Sequence, residues 1–269
     1  MAIRLVATDL DGTLLNYDNS IPSENLKAIE VLNNKNINFA ICTSKPYSIT
    51  KDICSKCNAS YGIFGNGTQI INLKTGEEIY RNIIPLSDFE TCFNIASKYN
   101  LHVHVYTSNE IITTELKYLD LRNSIITKNS TDLSVRLVDS VYKYVKENNS
   151  PIFKFVISSD SNLHHIKTEM ENNTGLNINL ISKRGIYKDT IINKEYEYLD
   201  ISPKNIGKGY AINYLSHFLN VDNSDIMALG DNVNDIDMLK TSGVSIALAN
   251  AYDELKEIAS YTTTNSVRK

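Results

Sequence analysis

The sequence predicts an α/β protein with a mostly parallel sheet that is interrupted by an inserted α+β module. In the first and last thirds of the 269-residue chain, short apolar runs alternate with amphipathic helical stretches, a pattern typical of βαβ units. Polar residues follow four of those apolar runs directly. From about residue 85 the pattern changes to helices and alternating strands, and near residue 190 the first pattern returns.

The first third opens with "IRLVATDL", an apolar run of the kind that forms a buried parallel strand. A helical pattern follows, then the second buried strand "INFAICTS" and the short strand "YGIFGNG", which leads into a hairpin. In chain order, these stretches are residues 3–10, 22–36, 37–44, 61–67 and 68–82.

The inserted module contains the alternating strand "LHVHVYT" (101–107) and the strand "SPIFKFVISS" (150–159). The alternation predicts a sheet with one exposed face. After "KEYEYLDISP" the βαβ pattern resumes. We therefore expect one discontinuous domain, residues 1–84 and 189–269, that carries an inserted domain of residues 85–188.

Composition excludes several classes of function. A formal net charge of −4 argues against a broad nucleic-acid-binding face. The chain has no apolar run of about 20 residues, which a membrane span needs, and no signal-peptide pattern follows Met1. We expect a cytoplasmic protein with no nucleic-acid, membrane or obligate protein partner. The lone pair Cys54-x-x-Cys57 lacks a second pair at zinc-binding spacing, so we interpret it as structural.

Several carboxylates are predicted to meet at one edge of the sheet. Asp9 and Asp11 follow the first strand, hydroxyl residues end the second, and "GDNVND" (230–235) follows a later one. Ligands of open α/β sheets bind beyond the carboxyl ends of the strands. Gathered carboxylates repel each other, which raises the pKa of one of them or recruits a cation, and magnesium prefers such hard oxygen ligands.

These motifs resemble those of a known superfamily. "DLDGT" (9–13), Thr43 at the end of the next strand, Lys208 at the start of a later helix and "GDNVND" (230–235) are similar to the four motifs of the haloacid dehalogenase-like hydrolases. The insert between Thr43 and Lys208 resembles the type IIB cap of the Cof-type sugar-phosphate phosphatases. The resemblance implies a Rossmann-like parallel-sheet core with an inserted α+β cap, Mg²⁺ as cofactor and a small phosphorylated metabolite as substrate.

The resemblance also implies roles for individual residues. Asp9 would attack phosphorus, and Asp11 would protonate the leaving group and then activate water. Magnesium would be held by Asp9, the backbone carbonyl of Asp11 and Asp231. Asp235 would lie behind these ligands and orient Lys208 or a water on the metal. The phosphoryl oxygens would be bound by Leu10, Thr43, Ser44, Lys208 and Asn234, the first and third through backbone N–H groups.

The substrate is less constrained by the sequence. The second motif of this family usually reads T-G-R, whereas here it is Thr43-Ser44-Lys45, a triplet that also resembles the mannosyl-3-phosphoglycerate phosphatases. A phosphomutase is disfavoured because its cap occurs earlier in the chain. A weakly catalytic sugar-phosphate sensor is disfavoured by the intact carboxylate pair.

The inserted domain is expected to close over the site and recognise the leaving group. Three basic residues are its candidates for a second anionic group: Lys154, Lys183 and Arg184. His102 and His104 are two residues apart and therefore share one strand face, where a surface position or packing is expected rather than metal or ligand binding.

Overall fold

A computed structural model describes residues 2–16, 18–108, 110–116, 134–187 and 190–264, without the side chains of 134, 182–187 and 190–195. The chain divides into two compact units. The first comprises Met1–Arg81 and Ile206–Lys269, and the second comprises Asn82–Asn205. The predicted α/β class with an inserted α+β module is confirmed. No helix in the described part of the chain is both long and apolar enough to cross a membrane.

The first unit is built on an eight-stranded sheet that is parallel through its centre. The strand order is β14-β13-β12-β1-β2-β3-β4-β5, and the last two form the predicted hairpin as antiparallel additions. The strands are β1 (Leu5–Thr8), β2 (Asn38–Cys42), β3 (Tyr61–Phe64), β4 (Gln69–Asn72), β5 (Glu78–Arg81), β12 (Ile226–Gly230), β13 (Val244–Ala247) and β14 (Tyr261–Thr262). The helices of this unit are α1 (Ser23–Asn34), α2 (Tyr47–Lys56), α6 (Lys208–Phe218), α7 (Ile236–Thr241) and α8 (Asp253–Ile258).

Strand β1 is buried along its whole length because both faces of the sheet are covered. Leu5 packs in a cluster with Ile212 of α6, whereas Val6 packs in a second cluster with Ile29 of α1. Such two-sided burial explains why the strand is a continuous apolar run. Since β12, β1 and β2 are adjacent and parallel, the residues that follow them meet at one edge.

The second unit has a six-stranded sheet in the order β10-β11-β9-β6-β7-β8. Its apolar face forms a core with residues of three helices, Phe155 and Leu199 among the buried members. The strands are β6 (His102–Tyr106), β7 (Glu110–Thr113), β8 (Ser134–Leu137), β9 (Lys154–Ser159), β10 (Asn177–Tyr187) and β11 (Thr190–Ser202), and the helices are α3 (Leu86–Lys98), α4 (Val141–Glu147) and α5 (His164–Asn173).

Two features of the second unit differ from the sequence-based expectation. The chain was expected to return to the first domain at residue 189, but β11 pairs with β9 within the second sheet, so this unit extends to Asn205. In addition, β6 is not half-exposed, because His102 and His104 are both buried. It lies in the interior of its sheet, between β9 and β7.

Candidate active site

A buried lysine links two of the predicted carboxylates. Lys208 is the first residue of α6, and its side chain is completely buried. The Nζ atom donates hydrogen bonds to Oδ1 of Asp9 at 2.6 Å and to Oδ1 of Asp235 at 2.5 Å. Burial alone would lower the pKa of Lys208, but the charges of Asp9 and Asp235 outweigh it and raise the pKa. Lys208 is therefore an ammonium ion between two carboxyl groups.

Asp9 is the buried carboxyl group at the end of β1. Burial raises the pKa of Asp9 to about 7, against the lowering effect of Lys208. One carboxylate oxygen is bound by Lys208, which leaves the other oxygen for a further ligand. A carboxylate in this position needs additional positive charge to remain ionised at low cost.

Asp231 follows β12 and is oriented by two neighbours. The hydroxyl of Thr13 donates to its Oδ1 at 2.7 Å, and the amide of Asn250 donates to its Oδ2 at 3.4 Å and to the carbonyl of Gly12 at 2.9 Å. Gly12 has a φ of +83°, and a Cβ there would collide with the carboxylate of Asp231. The turn after β1 therefore needs glycine in order to approach Asp231.

Both carboxylate oxygens of Asp235 accept hydrogen bonds from other groups of the protein. Its Oδ2 accepts the backbone N–H groups of Asp231 and Asn232, each at 3.0 Å, while its Oδ1 accepts Lys208. The side chain is fully buried. These bonds fix the loop that carries Asp231.

Carboxylate oxygens of Asp9, Asp231 and Asp235 all lie within 4.8 Å of one another, a spacing that fits a divalent cation. Asp235 is the most engaged of the three, because its carboxylate accepts three hydrogen bonds, one of them from the ammonium of Lys208. Asp9 keeps one oxygen without a hydrogen bond, and Asp231 accepts a single hydrogen bond on each oxygen, so these two have the greater capacity to bind a metal. Burial raises the pKa of Asp231 as well, and a bound cation would lower it. The all-oxygen donor set suits magnesium.

The second strand contributes a loop of hydroxyl and N–H groups. Thr43 is buried directly after β2, and its Oγ1 accepts the backbone N–H of Lys45 at 3.2 Å. Among the described residues, no acceptor pairs with the backbone N–H of Leu10 or of Ser44. Both predicted phosphate donors are therefore free to bind an anion.

Asn234 and Asn66 are hydrogen-bonded to each other. The Nδ2 group of Asn234 donates to Oδ1 of Asn66 at 3.0 Å. Asn66 lies in a turn with a φ of +56°, a conformation that asparagine tolerates better than most residues. The turn thus positions the amide of Asn234.

Asp11 is the more exposed member of the carboxylate pair. Its side chain is 49% exposed, and its Oδ1 lies 2.6 Å from Nζ of Lys45. Sequence reasoning treated Lys45 only as a departure from the usual motif and did not pair it with Asp11. It also missed Thr13 and Asn250; Thr13 lies within "DLDGT", whereas nothing in the sequence pointed to Asn250, which is 19 residues after Asp231.

Of the three basic residues predicted to determine specificity, only Lys154 has a described side chain, and it is paired within the second unit. Lys154 forms an ion pair with Asp200 at 2.9 Å, and its Nζ lies 4.8 Å from the ring centre of Tyr106. Burial alone would lower the pKa of Lys154, but Asp200 raises it. Lys183 and Arg184 belong to β10, and their side chains lie outside the described residues. Their role in specificity stays a prediction.

The four cysteines are buried free thiols. Burial raises the pKa of Cys54 to about 12 and that of Cys57 to about 11. The C-x-x-C pair is therefore protonated at neutral pH and packs in the apolar cluster beside α2, in line with its structural interpretation.

Comparisons with known proteins show the family of the chain. Residues 6–268 match the haloacid dehalogenase-like hydrolase family. The chain is 29% identical to a phosphatase-named protein of Streptococcus pyogenes serotype M6 over 270 residues, covering 98% of this chain and 93% of that protein. It is 25% identical to the 5-amino-6-(5-phospho-D-ribitylamino)uracil phosphatase YcsE of Bacillus subtilis, covering 98% and 91%.

Among solved structures, the subclass IIB sugar phosphatase BT4131 of the same superfamily has this fold. The TM-score is 0.72 at 18% sequence identity, over 97% of this chain and 93% of that one. This likeness shows that the chain shares the fold of that phosphatase. With the family match spanning nearly the whole sequence, the chain belongs to the haloacid dehalogenase-like hydrolases and is, as predicted, a phosphoric monoester hydrolase.

Proposed function

We propose that this enzyme is a Mg²⁺-dependent phosphatase of small phosphorylated metabolites, with sugar phosphates as the leading substrate class and Asp9 as the nucleophile. The observation that carries the proposal is the buried Asp9–Lys208–Asp235 cluster beside Asp231. It presents one free oxygen of Asp9 next to a fixed positive charge and a second carboxylate that can hold a cation.

Asp9, Asp231 and the backbone carbonyl of Asp11 would hold the magnesium ion. When bound, it would neutralise charge that otherwise repels a phosphate dianion from this cluster. The N–H groups of Leu10 and Ser44, with Thr43, Lys208 and Asn234, would bind the phosphoryl oxygens through charge-assisted hydrogen bonds.

Two displacements would complete the reaction. The free oxygen of Asp9 forms a bond to phosphorus while the bond to the leaving oxygen breaks and Asp11 gives its proton to that oxygen. Asp11 then takes a proton from water, whose oxygen attacks phosphorus and breaks the bond to Asp9. Inorganic phosphate leaves, and both aspartates return to their starting states.

The name of one relative adds polyol phosphates to the candidate substrates, beside the sugar phosphates. The name of YcsE describes a phosphate ester on a ribityl chain, which is a sugar alcohol. The triplet Thr43-Ser44-Lys45 keeps a mannosyl-3-phosphoglycerate-like substrate as a second candidate. We propose that residues 82–205 determine which leaving group is accepted.

Phosphate release tests the proposal. Wild-type enzyme with Mg²⁺ should hydrolyse p-nitrophenyl phosphate, and a panel of sugar, polyol and glycerate phosphates should rank the substrate classes. Asp9→Asn should lower kcat by at least about a thousandfold, while the exposed control Asp52→Asn should retain wild-type activity. Activity that survives both EDTA and Asp9→Asn would refute the mechanism. Binding of sugar phosphates without turnover would instead support a sensor.

A further inference from the structure

Lys45 contacts a catalytic aspartate but has no role in the chemistry proposed above. Its Nζ lies 2.6 Å from Oδ1 of Asp11, and its side chain is only 15% exposed. Lys45 is the third residue of the triplet Thr43-Ser44-Lys45, at the position where the family motif usually has arginine.

The backbone of Lys45 is anchored on both sides. Its N–H donates to Oγ1 of Thr43 at 3.2 Å, and its carbonyl accepts the N–H of Gly65 at 3.1 Å. Two loops at the edge of the sheet therefore hold the base of this side chain, which limits where the ammonium group can reach.

Asp11 depends on this contact more than the other carboxylates depend on theirs. Asp231 is held by Thr13 and Asn250, and Asp235 by two N–H groups and Lys208. In the described part of the chain, Lys45 is the single hydrogen-bond partner of the Asp11 carboxylate. Without it, a half-exposed side chain would be free to change rotamer.

The contact also distinguishes the two oxygens of Asp11. An ammonium group donates hydrogen bonds and accepts none. Oδ1 of Asp11 therefore accepts a hydrogen bond from Lys45, and an O–H group on Oδ1 could not donate to that lysine. A carboxylic acid has a single O–H group, which leaves Oδ2 as the oxygen that carries the transferable proton.

We propose that Lys45 is a positioning residue that fixes the orientation of Asp11 and assigns proton transfer to its Oδ2. This inference rests on the proposed role of Asp11 as general acid and base. Leaving groups differ in their need for such help: the alkoxide of a polyol needs a proton as it departs, whereas p-nitrophenolate is stable without one. The value of kcat/KM isolates this step because it covers only the reaction up to departure of the leaving group.

Lys45→Met should therefore act selectively. We expect kcat/KM for a polyol or alkyl phosphate to fall about 10-fold to 100-fold, within the range of general acid catalysis, while the value for p-nitrophenyl phosphate falls less than about threefold. Lys45→Arg, which keeps a charged donor, should stay within about threefold of wild type on both substrates. The control Lys56→Met removes an exposed lysine at the end of α2 and should change neither value.

A double-mutant cycle separates positioning from direct binding of phosphate. If Lys45 acts through Asp11, adding Lys45→Met to Asp11→Asn should cause no further loss on either substrate. An equal loss on both substrates, or a loss that persists in the Asp11→Asn background, would overturn the inference and leave the phosphatase proposal intact. A wild-type enzyme that releases no phosphate from any ester would overturn both. Equal melting temperatures for the variants exclude misfolding as the cause.

Discussion

At the scale of single residues, the site is organised around one buried positive charge. Lys208 neutralises part of the charge of Asp9 and Asp235, and none of the three is substantially exposed. Removing one member of a buried ion cluster leaves the remaining charges buried without compensation. The resulting loss in free energy of unfolding is larger than the net contribution of the ion pairs to stability. The cluster is therefore sensitive to substitution of its cation.

Lys208→Met tests this sensitivity directly. We expect the free energy of unfolding to fall by about 3–5 kcal/mol, because Asp9 and Asp235 remain buried without their cation. Urea denaturation in EDTA measures it, with Lys240→Met on the exposed side of α7 as the control. A loss below about 1 kcal/mol would mean that the two carboxyl groups find water or a shared proton instead.

At the scale of elements, β6 shows how a polar strand face becomes buried. His104 is 2% exposed, and its Nδ1 atom has no hydrogen-bond partner among the described residues. Burial, with the nearby charges of His102 and Lys154, holds the pKa of His104 well below 6.5. The imidazole is therefore neutral in the folded protein at pH values where it is protonated in the unfolded chain.

This difference predicts a loss of stability in mild acid. As the pH falls below about 6.5, the unfolded chain binds a proton that folded His104 does not, so unfolding becomes more favourable. His104→Gln should remove up to about 1.4 kcal/mol per pH unit from the dependence of the unfolding free energy on pH. Urea denaturation between about pH 7 and pH 5 measures the slope, and the exposed His164→Gln is the control. Equal slopes for wild type and His104→Gln would contradict the prediction.

At the scale of the whole molecule, the proposed metal ligands and the second unit belong to different parts of the chain. Asp9 and Asp231 lie in Met1–Arg81 and Ile206–Lys269, whereas Asn82–Asn205 has its own sheet and apolar core. A ligand stabilises only the structure that binds it. Magnesium should therefore act on the two units unequally.

Hydrogen exchange with and without Mg²⁺ tests this expectation. At a concentration about 100 times its Kd, magnesium should stabilise the first unit by about 2.7 kcal/mol, slowing exchange of amides in β1 and β12 that open through unfolding of that unit. Amides of β9 should not change. Asp231→Asn should weaken the effect, and Asp225→Asn, outside the cluster, should not. Uniform protection of both units would show that they unfold together.

The sequence by itself determined the class of fold, the family and the convergence of Asp9, Asp11, Thr43 and Asp231 at one edge. These follow from local patterns: apolar runs specify buried parallel strands, and the topology of such sheets brings the residues after them together. Cof-type resemblance came from the same motifs and from the length of the insert. Each of these signals lies in a short stretch of chain or in the spacing between stretches.

Only the tertiary structure decided which groups pair with which. Lys45 contacts Asp11, 34 positions away, and Asn250 contacts Asp231, 19 positions away. No local sequence pattern around these residues predicts either contact. The burial of His104 and the extension of the second unit to Asn205 likewise depend on strand order. Side-chain pairing depends on the packing of elements that are distant in sequence. A sequence can therefore identify candidate functional residues without showing which hydrogen bonds and ion pairs orient them.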